Sequence, residues 1–272
     1  MRTFVVAGGN SGIGLQVSRN LLGGGDRVII LGRDQRKAEA ALDSFGASRE
    51  RAEFHSVDLS RSAGVRDAAD HIRTSSDRVD GLLHSTGVIY DGDVRTAEGI
   101  PLFLAVSYLG RYHLTQLLLP HLLKSPSPRV IMMGSYMRKV PEVDVARFPE
   151  FRGLSFRQLI PQVNGAVMHY AAHLAASHER LFAGVVCPGL VKTDIFRDAP
   201  RSMRVMTAAM RPFVGNDITT AAANPTRALL EGSGRTAMYW RKAASFDDQT
   251  TVNVDPTIQQ ALMDASRIAT GV

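Results

Sequence analysis

Near the start of the 272-residue chain, Gly8, Gly12 and Gly14 follow a short apolar run that contains Val5 and Val6. LQVSRNLL comes next, with Leu15, Val17, Leu21 and Leu22 at helical spacing. A strand that runs through a glycine loop into a helix is the opening of a dinucleotide-binding unit. The glycines let the backbone turn tightly and approach a pyrophosphate, whose charge is then met at the helix N-terminus. A second group with phosphate chemistry stands at the exit of RVIIL (27–31), a run that reads as a buried parallel strand. An acidic residue at that exit selects NAD(H) by taking the ribose hydroxyls. Here Gly32 and Arg33 occupy it, with Arg36 and Lys37 one turn on. A guanidinium offers a 2′-phosphate bidentate, charge-assisted hydrogen bonds, so NADP(H) is the expected cofactor ahead of NAD(H).

Positioning these groups takes an alternating series of strands and helices. Further strands are expected at 52–60, 81–87, 128–135, within 181–195, and last at 236–240. Helices are expected from the glycine loop, through Leu42, at 62–73, from Pro101 through PLFLAVSYLGRYHLTQLLLPHLL, at 219–230 and at 255–268. The alternation implies an α/β protein, a single-domain Rossmann-type doubly wound parallel sheet with helices on both faces, spanning 1–272. A hydrophobic fraction of 44% suits a buried core, and no repeat argues for a second domain. The net charge of +6 comes mostly from scattered arginines, so no nucleic-acid patch is expected. Cys187 is the single cysteine, which excludes an internal disulfide and fits a reducing compartment. Without a signal peptide or an apolar run of the ~20 residues a membrane helix needs, the chain reads as cytoplasmic with no membrane span. The histidines are dispersed, and no metal site is expected.

The loop TFVVAGGNSGIG resembles that of the short-chain dehydrogenase/reductase family, with Ala7 at the family's leading Thr. The resemblance assigns Gly8, Asn10, Ser11, Gly12, Ile13 and Gly14 to the cofactor. It places Asp58 and Leu59 against adenine, and reads Ser85 and Gly87 in the family's N-N-A-G segment, here His84-Ser85-Thr86-Gly87. His84 is expected as a packing or hydrogen-bonding substitute rather than a base. Pro188, Gly189, Val191 and Thr193 match the P-G-x-V-x-T turn against the nicotinamide carboxamide. Ser135 matches the serine that hydrogen-bonds a substrate carbonyl, and Ser107 replaces the Asn of the proton relay. Tyr108, Tyr112 and His113 are expected in the core or in the contact of a homodimer or homotetramer. Residues 194–215, with Met203, Met206 and Met210, suggest a lid over a lipophilic small-molecule substrate. The gap after Ser135 and the context of Pro120 are most similar to the retinol-dehydrogenase-like branch.

One departure decides the function. The family completes its site with a Tyr and a Lys four residues apart. Counting back without gaps from Cys187-Pro188-Gly189 brings those positions to Gln158 and Gln162, and no Tyr-x-x-x-Lys occurs anywhere in the chain. An amide has no proton to titrate near neutrality, and loss of a general acid costs roughly 10²–10⁴-fold in ketone reduction. Gln162 can still hold ribose hydroxyls and Gln158 can orient a polar substrate group. Three readings follow. The first is NADP(H)-dependent hydride transfer to an imine, activated alkene or carbonyl, with Tyr136, and behind it Asp144, as replacement acid. The second is a non-redox cyclase or rearrangement catalyst of natural-product biosynthesis using Gln158, Gln162 and Ser135 as donors. The third is a nucleotide sensor without turnover.

Overall fold

The structure is a computed structural model that describes residues 1–191, 195, 199, 201, 205, 216–243 and 245–272. Its centre is one sheet of eight strands: β1 (Thr3–Ala7), β2 (Arg27–Gly32), β3 (Ala52–Ser56), β4 (Gly81–His84), β5 (Arg129–Met133), β6 (Phe182–Val186), β7 (Met238–Trp240) and β8 (Gln249–Thr251). Their order is β3-β2-β1-β4-β5-β6-β7-β8, parallel throughout except for the antiparallel β8. The strand order reverses between β1 and β4, and ligands of such sheets bind outside the carboxyl ends of the strands at that switch.

Alternate residues of β1 feed opposite faces. Phe4 and Val6 pack with Val17, Leu21 and Leu22 of α1 (Gly12–Gly23) and with Leu229 of α7 (Ile218–Glu231). Val5 and Ala7 pack into the larger core beneath α3 (Ser62–Ser75), α5 (Gly110–Leu122), α6 (Phe156–Ser177) and α8 (Pro256–Thr270). The short α2 (Gln35–Asp43) lies between β2 and β3, and Asp34 starts it by accepting from the Lys37 N–H at 3.0 Å. The single-domain α/β expectation is met, and no helix among the described residues is long and apolar enough to cross a membrane.

Three local expectations are corrected. The strand expected at 52–60 ends at Ser56, because Asp58 turns the chain by accepting from the N–H and hydroxyl of Ser60 at 3.0 and 2.8 Å. The helix expected from Pro101 has three parts: α4 (Leu102–Leu104), a π-helical turn at Ala105–Leu109, and then α5. The strand ending at Trp240 is followed by β8, a polar three-residue edge strand with no apolar alternation to announce it. Tyr108, Tyr112 and His113 are core residues within the chain, and the Tyr108 hydroxyl lies 2.8 Å from Ser266 of α8.

Candidate active site

A cleft of about 440 Å³ opens over the carboxyl ends of β2, β1 and β4. Its floor is the glycine loop. Gly8 has φ +84°, and a Cβ there would stand 3.0 Å from the Ser85–Thr86 backbone. Gly14 does not line the cleft. It faces inward, where a Cβ would lie 2.2 Å from the Gly8 carbonyl, so it lets α1 close onto the loop. Gly8, Asn10, Ser11, Gly12 and Ile13 line the space, as do Arg33, Asp58, Leu59, Ser85 and Gly87. The structure thus brings together most residues assigned to the cofactor. Lys37 and Thr86, inside segments marked in the sequence, also line the cleft, and the structure adds Val57, Ser60, Val88, Ile89, Val106, Ile195 and Ile218, which no local motif marked.

The end of β2 explains its own residue type. The buried Asn10 donates from Nδ2 to the Asp34 carbonyl at 3.2 Å. A Cβ on Gly32 would come within 2.9 Å of both polar atoms of that side chain. A side chain at 32 would therefore require the Asn10 amide to move. Arg33 beside it is exposed, and it and Lys37 are the cations lining this end of the cleft. A backbone cradle too tight for side chains, ending at an arginine, fits a dinucleotide with a phosphorylated ribose.

The residues expected to do chemistry are placed differently. Ser135 is exposed just past β5; its N–H donates to Asn164 Oδ1 at 2.7 Å and its carbonyl accepts from the Tyr239 hydroxyl at 2.9 Å. Asn164 and Tyr239 hold this segment, although sequence reasoning passed over both. Asn164 also donates to the Ile160 carbonyl at 2.8 Å, and burial pushes the Tyr239 phenol up to about 12. Tyr136 is 62% exposed. Gln158 sits at the exposed start of α6, where its Oε1 accepts from the Ser155 N–H and hydroxyl at 3.0 and 2.7 Å, a helix-capping role. Gln162 Oε1 accepts from the Asp144 N–H at 2.8 Å and so ties α6 to the preceding loop. None of Ser135, Tyr136, Gln158, Gln162 and Ser107 is among the described residues lining the cleft. The two glutamines that the gapless count assigned to the family's Tyr and Lys positions are spent on local groups at the start of α6 and in the loop before it.

Pro188, Gly189 and Val191 lie beyond β6 and outside the lining. The Pro188 carbonyl accepts from Asn216 Nδ2 at 2.9 Å, and Val191 bridges to Asn216. Thr193 and most of the segment 194–215, including Met203, Met206 and Met210, lie outside the described residues; of that segment Ile195 is in the cleft wall. His84 is wholly buried, with Nε2 2.9 Å from the Thr115 hydroxyl. Burial, and then the charge of Arg111, push its pKa well down, so it stays a neutral packing group rather than a base.

A short chain dehydrogenase family profile matches residues 2–148. The Bos taurus Dehydrogenase/reductase SDR family member 13 is 34% identical over 201 residues, 66% of this chain and 53% of that protein. Human Retinol dehydrogenase 12 is 26% identical over 249 residues, 85% of this chain and 74% of that protein. Among solved structures, a short chain dehydrogenase from Burkholderia cenocepacia in complex with NADP superposes with a TM-score of 0.69 at 21% identity, over 89% of this chain and 97% of that one. The chain spans between 50% and 62% of the length of the first curated relatives it matches.

Proposed function

The chain belongs to the short-chain dehydrogenase family, and on that premise we propose that it is an NADP(H)-dependent oxidoreductase acting on a lipophilic small molecule without the family's Tyr and Lys. The observation that carries this reading is the end of β2, where Asn10 fills the space an acidic residue would need and Arg33 stands beside the cleft. Bound there, the dinucleotide supplies or accepts a hydride. The glycine loop holds the pyrophosphate, Arg33 the 2′-phosphate, and Asp58 with Leu59 the adenosine. Val88, Ile89, Val106, Ile195 and Ile218 give the wall an apolar surface that excludes water and suits a lipophilic substrate.

Hydride delivery to an iminium carbon yields a neutral amine, and that step needs no proton donor. A carbonyl or activated alkene also takes up a proton, from solvent or from the Tyr136 phenol beside Ser135. The test is substrate-dependent loss of NADPH absorbance across imines, enones and ketones of rising apolar size. Turnover that slows in Tyr136→Phe supports the phenol as donor; equal rates assign the proton to solvent. Absence of NADPH oxidation with every class contradicts the reading.

A second reading, non-redox catalysis on the same scaffold, draws on one observation. Among the described lining residues the only carboxylates are Asp34 and Asp58, both at the adenosine end, and there is no Tyr, His or Cys. Product formation that continues with only NADP⁺ supplied, or with no nucleotide, would favour it.

A further inference from the structure

Behind the far end of the cleft, away from Arg33, α5 carries a buried cation with no counter-ion. Arg111 is 4% exposed. One terminal nitrogen donates to the carbonyl of Met133, the last residue of β5, and the other to the carbonyl of Thr86, which lines the cleft. Its Nε has no partner, and no carboxylate among the described residues forms an ion pair with it. Two more orphaned polar atoms belong to residues linked to it, one through its backbone carbonyl and one along the helix. The Thr86 hydroxyl is buried without a partner, and so is the hydroxyl of Ser107, one helical turn before Arg111 and next to the cleft-lining Val106. Ser107 lies in the π-helical turn, and such turns frequently occur at functional sites.

Two carbonyl dipoles solvate a guanidinium but leave its charge in place. In a wall this dry that charge acts over a distance that water would screen. Burial lowers the pKa of Arg111 to about 9, which still leaves it charged at neutral pH.

We propose that Arg111 is a positioning residue whose buried charge, acting through the Thr86 wall, makes the site hold the reduced dinucleotide in preference to the oxidised one. This rests on the reading of the cleft as a dinucleotide site. The nicotinamide ring is cationic when oxidised and neutral when reduced, so a fixed positive charge at that end opposes the first and not the second. The charge thereby does electrostatic work at the hydride end of a site that lacks the family's lysine.

The test is calorimetric titration at pH 7 of the full chain and of Arg111→Met and Arg111→Lys, each with NADPH and with NADP⁺, after circular dichroism shows that the variants are folded. The wild-type chain is expected to bind NADPH more tightly. In Arg111→Met that ratio of affinities is expected to fall by roughly tenfold, while Arg111→Lys, which keeps the charge, retains most of it. If Arg111→Met does not fold, Arg111→Gln, which can still donate to a carbonyl, takes its place with the same expectation. A merely structural role weakens both nucleotides by the same factor and leaves the ratio alone; that result, or a lysine variant that behaves like the neutral one, overturns the proposal while the cleft reading stands. Failure of the wild-type chain to bind either nucleotide overturns both.

Discussion

The two ends of the cleft are built in different ways. At the end proposed for the adenosine, the glycine loop leaves backbone facing the cleft and Arg33 and Lys37 line it, with neighbouring residues packed closely against the glycines. Gly14 cannot carry a Cβ against the Gly8 carbonyl, and a Cβ on Gly32 would have to displace the Asn10 amide. Behind and beyond the far end, polar contacts join segments distant in the chain: Arg111 donates to the Met133 and Thr86 carbonyls, and the Ser135 backbone is held by the Asn164 and Tyr239 side chains. The first design tolerates almost no change of residue. The second can exchange its chemistry while the scaffold stays, which on the proposed reading lets a cofactor cradle outlast the usual acid.

The largest effect is expected where that rigidity is greatest. Gly14→Ala must part α1 from the loop, and the expected loss of NADPH affinity is roughly 100-fold, ~3 kcal/mol; Ser135→Ala at the other end is expected to leave affinity unchanged, as calorimetry would show. A comparable effect comes from pH. Burial, and then Arg66, lower the pKa of His113 to about 4, against ~6.5 for a free imidazole. The folded state then binds fewer protons than the unfolded one. This contribution is complete above about pH 6.5 and is lost as the pH falls toward 4, by up to ~3 kcal/mol. Urea unfolding across that window is expected to show the fall, and His113→Gln to reduce it, the depressed pKa of the buried His84 keeping its own share.

Arg33→Ala is expected to weaken NADPH by roughly 10- to 100-fold, the strength of charged hydrogen bonds to a phosphate, and to leave NADH unaffected. Equal losses for both would move the phosphate contact elsewhere. Gly32→Asp alone is expected to disturb the loop, whereas Gly32→Asp with Asn10→Ala should shift preference toward NADH by about tenfold. The smallest effect is expected at Gln158. Its replacement by Ala should cost about 0.3–1.5 kcal/mol of stability through the lost cap and leave turnover intact; a collapse of turnover would bring this residue back into the site.

What the sequence revealed follows the same division. The glycine loop, Arg33, Asp58 and the alternating strands are contiguous signals, because each acts on the chain next to it. Counting back from Pro188 pointed to Gln158 as a site residue, but its capping bond to Ser155 was not legible, since counting says nothing about where an amide spends its hydrogen bonds. Arg111 sat in plain view inside an apolar helix. A charged residue among LGRYHL is itself a signal, yet its role emerges only when the ends of β4 and β5 come together. The π-helical turn and the edge strand β8 were hidden for a related reason. Neither shows a local periodicity: the π-helical turn lies inside a run that reads as one helix, and β8 is a short polar strand defined by its pairing with β7.

The central claim is that the cleft grips a phosphorylated dinucleotide, and titration calorimetry of the unmodified chain with NADPH and NADH tests it most directly. One NADPH bound per chain, at least about tenfold tighter than NADH, is the result expected. No measurable affinity for NADPH, or equal affinity for the two, would contradict it.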